Sequence, residues 1–128
     1  MASIILVVDD EDMTRHLLRL MLEREGYIIH EALDGLDALA KIEQHQPQLV
    51  IMDVMMPHLD GFGACERIRA NGKTTHLPVV LLSARVQQEA IAEGMRVGAN
   101  CYLTKPISRP DLVQTVSNLL VTAPRSTN

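Results

Sequence analysis

Ile4-Ile5-Leu6-Val7-Val8-Asp9-Asp10-Glu11-Asp12 passes from five consecutive apolar residues straight into the longest run of like charge in the chain. An apolar run without alternation is the pattern of a strand covered on both faces, as in a parallel sheet between two layers of helices. Two more runs share it: Leu49-Val50-Ile51-Met52, which ends at Asp53, and Val79-Val80-Leu81-Leu82, which ends at Ser83. Strands are therefore predicted from Ile4 to Asp9, Leu49 to Asp53 and Val79 to Ser83, at the centre of one sheet. Two shorter candidates, Ile28 to Ala32 (interrupted by His30 and Glu31) and Cys101 to Thr104, are expected at its margins.

Helical spacing fills the intervals. Met13, Leu17, Leu20, Met21 and Arg24 recur at three and four, with Asp12 as the expected N-cap and Gly26 as the stop. Leu36, Leu39, Ala40 and Ile42 follow Asp34, a second expected cap, and Pro47 closes that unit. Phe62, Cys65 and Ile68 lead to Asn71-Gly72, and Ala90, Ile91, Met95 and Val97 lead to Gly98. Leu112, Val113, Val116, Leu119 and Leu120 follow Ser108, with Asp111 three residues on as in a capping box. Strict alternation of strand and helix with short connections requires parallel strands joined by right-handed crossovers. The predicted fold is an α/β three-layer sandwich with a five-stranded parallel sheet and five helices. One domain over residues 1–121 is expected, followed by a flexible polar tail at 122–128.

Composition narrows the function. A chain of 128 residues, 47% hydrophobic and 22% charged, has room for one ordinary core. The net charge of -4 provides no basic surface for nucleic acid, and 2% aromatic content with no Trp provides no platform for stacking bases. No apolar run approaches the roughly 20 residues that span a bilayer, so neither an anchor nor a leader is expected and the location is read as cytoplasmic. Cys65 and Cys101 stand alone and are expected as reduced thiols in apolar surroundings. The five histidines are scattered without metal-ligand spacing, and none is expected to bind zinc or to donate a phosphoryl group.

In open α/β sheets, ligands bind at the carboxyl ends of the strands, near the reversal of strand order. There the sequence places Asp9 and Asp10, Asp53, Ser83 and, after the last strand, Lys105-Pro106. Three converging carboxylates repel one another unless a cation joins them. An all-oxygen set with few protein ligands suits Mg²⁺, which keeps several waters and shares its octahedron with phosphate. A lysine and a hydroxyl on the far side complete the equipment for transferring a phosphoryl group to a carboxylate.

These residues carry a resemblance. Val7-Val8-Asp9-Asp10, Ile51-Met52-Asp53-Val54-Met55-Met56-Pro57, Asp60-Gly61, Leu82-Ser83-Ala84, Gly98-Ala99-Asn100 and Lys105-Pro106-Ile107 closely resemble the receiver domains of bacterial response regulators, including those of chemotaxis type. The resemblance runs from about Ile4 to Val121. It implies strand order 2-1-3-4-5 and the function of a phosphoacceptor switch in a two-component phosphorelay. By it, Asp53 accepts the phosphoryl group, Asp10 and Asp53 are direct Mg²⁺ ligands, Asp9 acts through water, and the Met55 carbonyl is a further ligand. Mn²⁺ is an expected substitute. Lys105, the Ser83 hydroxyl and the Ala84 backbone N–H would hold the phosphoryl oxygens, and the bond before Pro106 would be cis. Ser83 and Tyr102 would form the switch. Met55 and Arg85 would tune the lifetime of the phosphorylated state, since chemotaxis-type regulators carry Asn and Glu at those places. Ile107 departs from the Phe of many members, which bears on packing or partner choice.

The implied partners are a sensor histidine kinase or a histidine phosphotransfer protein, docking on the face of Glu11, Thr14 and Leu17, and an unidentified downstream protein. Neither nucleic acid nor membrane is expected as a direct partner, and the chain is expected to be a monomer or weak dimer. No output domain follows the last helix, so output is expected as a change in protein contacts. Three rivals fit less well. A phosphatase of haloacid dehalogenase type needs an Asp where Met55 stands, a flavodoxin would not line its phosphate loop with Asp9 to Asp12, and an unphosphorylated receiver-like module would lack a site residue.

Overall fold

The computed structural model describes residues 2–122. In chain order the elements are β1 (Ile4–Val8), α1 (Asp12–Glu23), β2 (Ile28–Ala32), α2 (Gly35–His45), β3 (Leu49–Met52), α3 (Gly61–Ala70), β4 (Val79–Ser83), α4 (Gln88–Arg96), β5 (Cys101–Thr104) and α5 (Arg109–Thr122). All pairings are parallel and the strands lie in the order β2-β1-β3-β4-β5, so the two short runs take the edges. β1 is the strand at which the order reverses. Helix α5 includes Thr122, and the rest of the expected tail, residues 123–128, lies outside the described residues.

Alternation along each strand divides the core into two aliphatic layers. Leu6, Val8, Val50, Met52, Val79 and Leu81 pack on one face with Ala38, Ile42, Ala64, Cys65 and Ile68. Ile5, Val7, Leu49, Ile51, Val80 and Leu82 pack on the other with Leu18, Leu22, Leu112 and Val116. Each fully buried Leu or Ile contributes about 1.5–3 kcal/mol, so the central strands hold the sheet together without aromatic residues. None of the helices among the described residues is long and apolar enough to cross a membrane.

The inward faces of three helices differ from expectation. In α1, Met13, Leu17 and Leu20 are exposed, while Leu18, Leu22 and Arg15 are buried. Leucines occur all round this helix; Leu18 and Leu22 take the core, and Arg15 on the same side reaches the buried Asp9 carbonyl. Asp12 is the first helical residue and not the cap; Glu11 holds the cap position without a side-chain bond to the helix. In α2, Leu36 and Ala40 face solvent, Ala38 and Ile42 face the sheet, and Gly35 is buried against the Leu59 backbone. In α4, Ala90 and Gly94 are buried and Met95 is exposed, because the ring of Tyr102 occupies the space beside Gly94. Asp34 does cap α2 through the Asp37 N–H, and the Ser108 hydroxyl accepts from the Asp111 N–H.

At the opposite edge of the sheet from the acids, Arg69 of α3 donates to the Gly98 carbonyl at 2.9 Å, the Leu77 carbonyl at 2.7 Å and Asn100 Oδ1 at 2.8 Å. Asn100 Oδ1 also accepts from the Val79 N–H, so one guanidinium ties α3 to the turn after α4 and to the entry of β4. Gly98 has φ +101°, and a Cβ there would lie 2.9 Å from Arg69 Cγ, so the turn needs both the left-handed backbone and the missing side chain. Arg69→Met keeps the stem but strands these acceptors. A loss of about 2–3 kcal/mol is expected, read as a lower urea midpoint at unchanged slope.

Candidate functional site

The sheet register brings the acids together. Val8 pairs with Met52, so Asp9 and Asp53 are each the first residue past neighbouring strands. The Asp53 N–H donates to the Val8 carbonyl at 2.9 Å and the Asp9 N–H to the Ala32 carbonyl at 3.2 Å, which continues the ladder one residue further. A carboxylate oxygen from each of Asp9, Asp10 and Asp53 falls within 4.8 Å of the others. Asp9 and Asp53 are buried and Asp10 is exposed. Behind Asp53, the Gly61 N–H donates to the Val54 carbonyl, and a Cβ on Gly61 would sit 2.3 Å from the Asp53 carbonyl oxygen. Only glycine lets the start of α3 come so close to the strand end.

Lys105 reaches in from the end of β5. Its Nζ donates to Asp9 Oδ2 at 2.9 Å and to Asp53 Oδ2 at 3.3 Å, and the Lys105–Pro106 bond is cis. Burial works against the Lys105 charge, but Asp9 and Asp53 more than offset it and hold the ammonium above its usual range. Burial likewise pushes the Asp53 carboxyl up; Lys105 opposes this and Asp9 adds to it. Both Asp9 oxygens are engaged, since Oδ1 also accepts from the Glu11 N–H at 2.9 Å. Three carboxylates against one ammonium leave a negative, all-oxygen cluster suited to a hard divalent cation.

A cavity of about 310 Å³ opens over Asp53, lined by Asp10, Glu11, Asp53, Met55, Ser83, Ala84, Arg85 and Lys105. Ser83 is fully buried at the end of β4, and its Oγ accepts from the Arg85 N–H at 3.1 Å. Ala84 is exposed at the rim. Met55 and Arg85 meet across the opening, with Arg85 Nη1 3.9 Å from Met55 Sδ. The Tyr102 hydroxyl donates to the Arg85 carbonyl at 2.8 Å, linking β5 to the loop after Ser83.

A raised Asp53 pKa has a definite sign. The folded state binds the proton more tightly than the unfolded one, so Asp53 favours folding in acid and that contribution is lost as pH rises through the folded pKa. In EDTA at neutral pH, Asp53→Asn should therefore unfold at a higher temperature than the parent, with the gap closing below the ordinary carboxylate range. A parent that is the more stable at neutral pH would contradict the burial argument.

Two features escaped the sequence reading. Arg15 is buried against the Asp9 carbonyl, and it joins the acidic loop to Glu31, 16 residues further on. His30 and His45 stack with ring centroids 3.6 Å apart and planes 9° apart, a face-to-face pair whose nitrogens do not converge as in a chelate.

The model of the response regulator receiver domain matches residues 5–117. PilH of Pseudomonas aeruginosa is 35% identical over 116 residues, which cover 91% of this chain and 96% of PilH. The DNA-binding transcriptional regulator RpaA of Synechocystis is 37% identical over 116 residues, 91% of this chain and 48% of RpaA, so the chain spans about half of that relative. Among solved structures, the receiver domain of the sensor histidine kinase PA1611 of Pseudomonas aeruginosa aligns with a TM-score of 0.88 at 28% identity, covering 95% of this chain and all of that one. That structure holds a magnesium ion in its active site cleft. A match that omits only the ends of β1 and α5 takes in the whole acidic edge of the sheet, and the chain belongs to the response regulator receiver domain family of two-component signalling.

Proposed function

We propose that the chain is a phosphoacceptor switch in which Asp53 takes a phosphoryl group from a phosphohistidine donor with the aid of Mg²⁺. The observation that carries this reading is the convergence of the Asp9, Asp10 and Asp53 carboxylates beside Lys105 at the floor of an open cavity. Asp10, Asp53 and the Met55 carbonyl would hold the cation, and Asp9, with both oxygens already bonded, would act through water. When bound, Mg²⁺ supplies positive charge for the phosphoryl oxygens, as Mn²⁺ would also do.

An Asp53 oxygen attacks phosphorus, the P–N bond to the donor imidazole breaks, and the imidazole nitrogen keeps the bonding pair. Lys105 leaves Asp53 Oδ2 for a phosphoryl oxygen, and the Ala84 N–H and Ser83 hydroxyl bind the others. For Ser83 to do so, its hydroxyl would move toward Asp53, carrying the Arg85 N–H that Oγ accepts, and the Tyr102–Arg85 bond would pass that shift toward α4 and β5. The face of α4, β5 and α5 would then favour a different protein partner. Donor docking, on a sensor kinase or a histidine phosphotransfer protein, is supported by an apolar groove of about 420 Å³ lined by Thr14, Leu17, Met21, Ala84 and Ile107.

Incubation with acetyl phosphate and Mg²⁺ should add the mass of one phosphoryl group, and excess EDTA should prevent it. Equal labelling in EDTA would exclude the metal-dependent reading.

A further inference from the structure

The acidic loop is aimed by a group that the phosphoacceptor chemistry does not use. Arg15 lies in the first turn of α1 and is 8% exposed, a rare degree of burial for a guanidinium. Its Nη1 donates to the Asp9 carbonyl at 2.7 Å in a buried bond, its Nη2 pairs with the Asp12 carboxylate, and its Nε donates to Glu31 Oε1 at 2.9 Å. β1 ends at Val8, so the Asp9 carbonyl is the first one past the strand, and it begins the peptide that leads into Asp10. Fixing that carbonyl fixes the plane of the Asp9–Asp10 peptide and hence the direction in which the Asp10 side chain leaves the sheet. Asp10 is exposed, and among the described residues its side chain has no comparable anchor.

Glu31 keeps Arg15 in place. It sits on β2 beside Val7, and its second oxygen accepts from Arg19 Nε at 2.5 Å, while Arg19 also pairs with Glu23. Without Glu31, the Arg15 head would be free to turn toward the carboxylates around it and compete with a cation for them. We infer that Arg15, braced by Glu31, is a positioning residue for divalent-cation binding, acting through the Asp9 backbone carbonyl. This deepens the proposed function and rests on it.

Electrostatics and positioning make opposite predictions here. Arg15→Met removes a positive charge beside three carboxylates, and by Coulomb's law alone Mg²⁺ should then bind more tightly. If Arg15 aims the loop, Mg²⁺ should instead bind about tenfold more weakly, as when the partner of a metal ligand is lost. The measurement is calorimetric titration of MgCl₂ into the metal-free full chain, with thermal unfolding in EDTA to show that each variant is folded. Arg15→Lys, which keeps the charge and a donor group but not the fork that reaches three partners, should recover part of the affinity, and Glu31→Gln should lose part of it. Arg19→Gln, which touches Glu31 but not Asp9, should lower stability and leave affinity within about twofold of the parent.

Unchanged or tighter Mg²⁺ binding in Arg15→Met overturns the inference, as does an equal loss in Arg19→Gln, which would mark general loosening. Should Arg15→Met fail to fold, Arg15→Lys decides, with parental affinity counting against the inference. Absence of Mg²⁺ binding by the unmodified chain would instead overturn the reading of the site itself, and this inference with it.

Discussion

Asp53→Asn should take up no phosphoryl group from acetyl phosphate in Mg²⁺ while keeping its fold. Asp53 lies on the floor of the cavity with one oxygen facing Lys105, and the amide that replaces it is no nucleophile. The other two carboxylates are poor substitutes for different reasons. Asp9 spends its oxygens on Lys105 and the Glu11 N–H, and it is 1% exposed, so a donor does not reach it. Asp10 is exposed, and among the described residues Lys105 pairs with Asp9 and Asp53 and not with it. Asp10→Asn should leave the acceptor intact and slow labelling by at least about tenfold through weaker cation binding. Intact mass resolves both outcomes, and labelling of Asp53→Asn at the parental rate would move the acceptor elsewhere.

The second large effect concerns decay. Hydrolysis of an acyl phosphate needs water in line with the bond to Asp53, and that approach passes the mouth of the cavity. Met55 and Arg85 touch across this mouth. A thioether cannot orient water, and a guanidinium drawn to the phosphoryl group screens it. In Met55→Asn, Arg85→Glu the two positions acquire groups able to hold a water, and loss of the phosphoryl group should quicken about tenfold, equivalent to about 1.4 kcal/mol of barrier. The first-order loss of phosphorylated mass after donor removal, compared under identical Mg²⁺, gives the ratio. Rates that agree, or slower loss in the variant, would show that these side chains do not govern access of water. Because Tyr102 anchors the Arg85 carbonyl, Tyr102→Phe should move decay in the same direction by a smaller factor.

Much of this protein is legible without coordinates, because its signals are short-range. Unbroken apolar runs of four or five residues, rich in Val and Ile and ended by polar residues, fit strands covered on both sides, and strict alternation with helices leaves a parallel sheet as the way to bury them. The acids, Ser83 and Lys105 are legible for a related reason: each ends or follows a strand, and parallel strands put all their carboxyl ends at one edge. The helix faces were harder to read. Leu17, Leu18, Leu20, Met21 and Leu22 satisfy two inward faces of α1 equally well, and spacing does not choose between them.

The sequence by itself therefore determined the class of fold, the edge at which the acids, Ser83 and Lys105 gather, and the residue types assembled there. Tertiary structure alone decided which side of α1 and α2 is buried, that Arg15 reaches Glu31 across to β2, that Arg69 closes the opposite edge, and that Met55 meets Arg85. The first three depend on the rotation of helices against the sheet, and the last on two loops that meet only in the folded chain. That rotation is set by packing and by buried polar partners, for which local sequence carries no periodic signal.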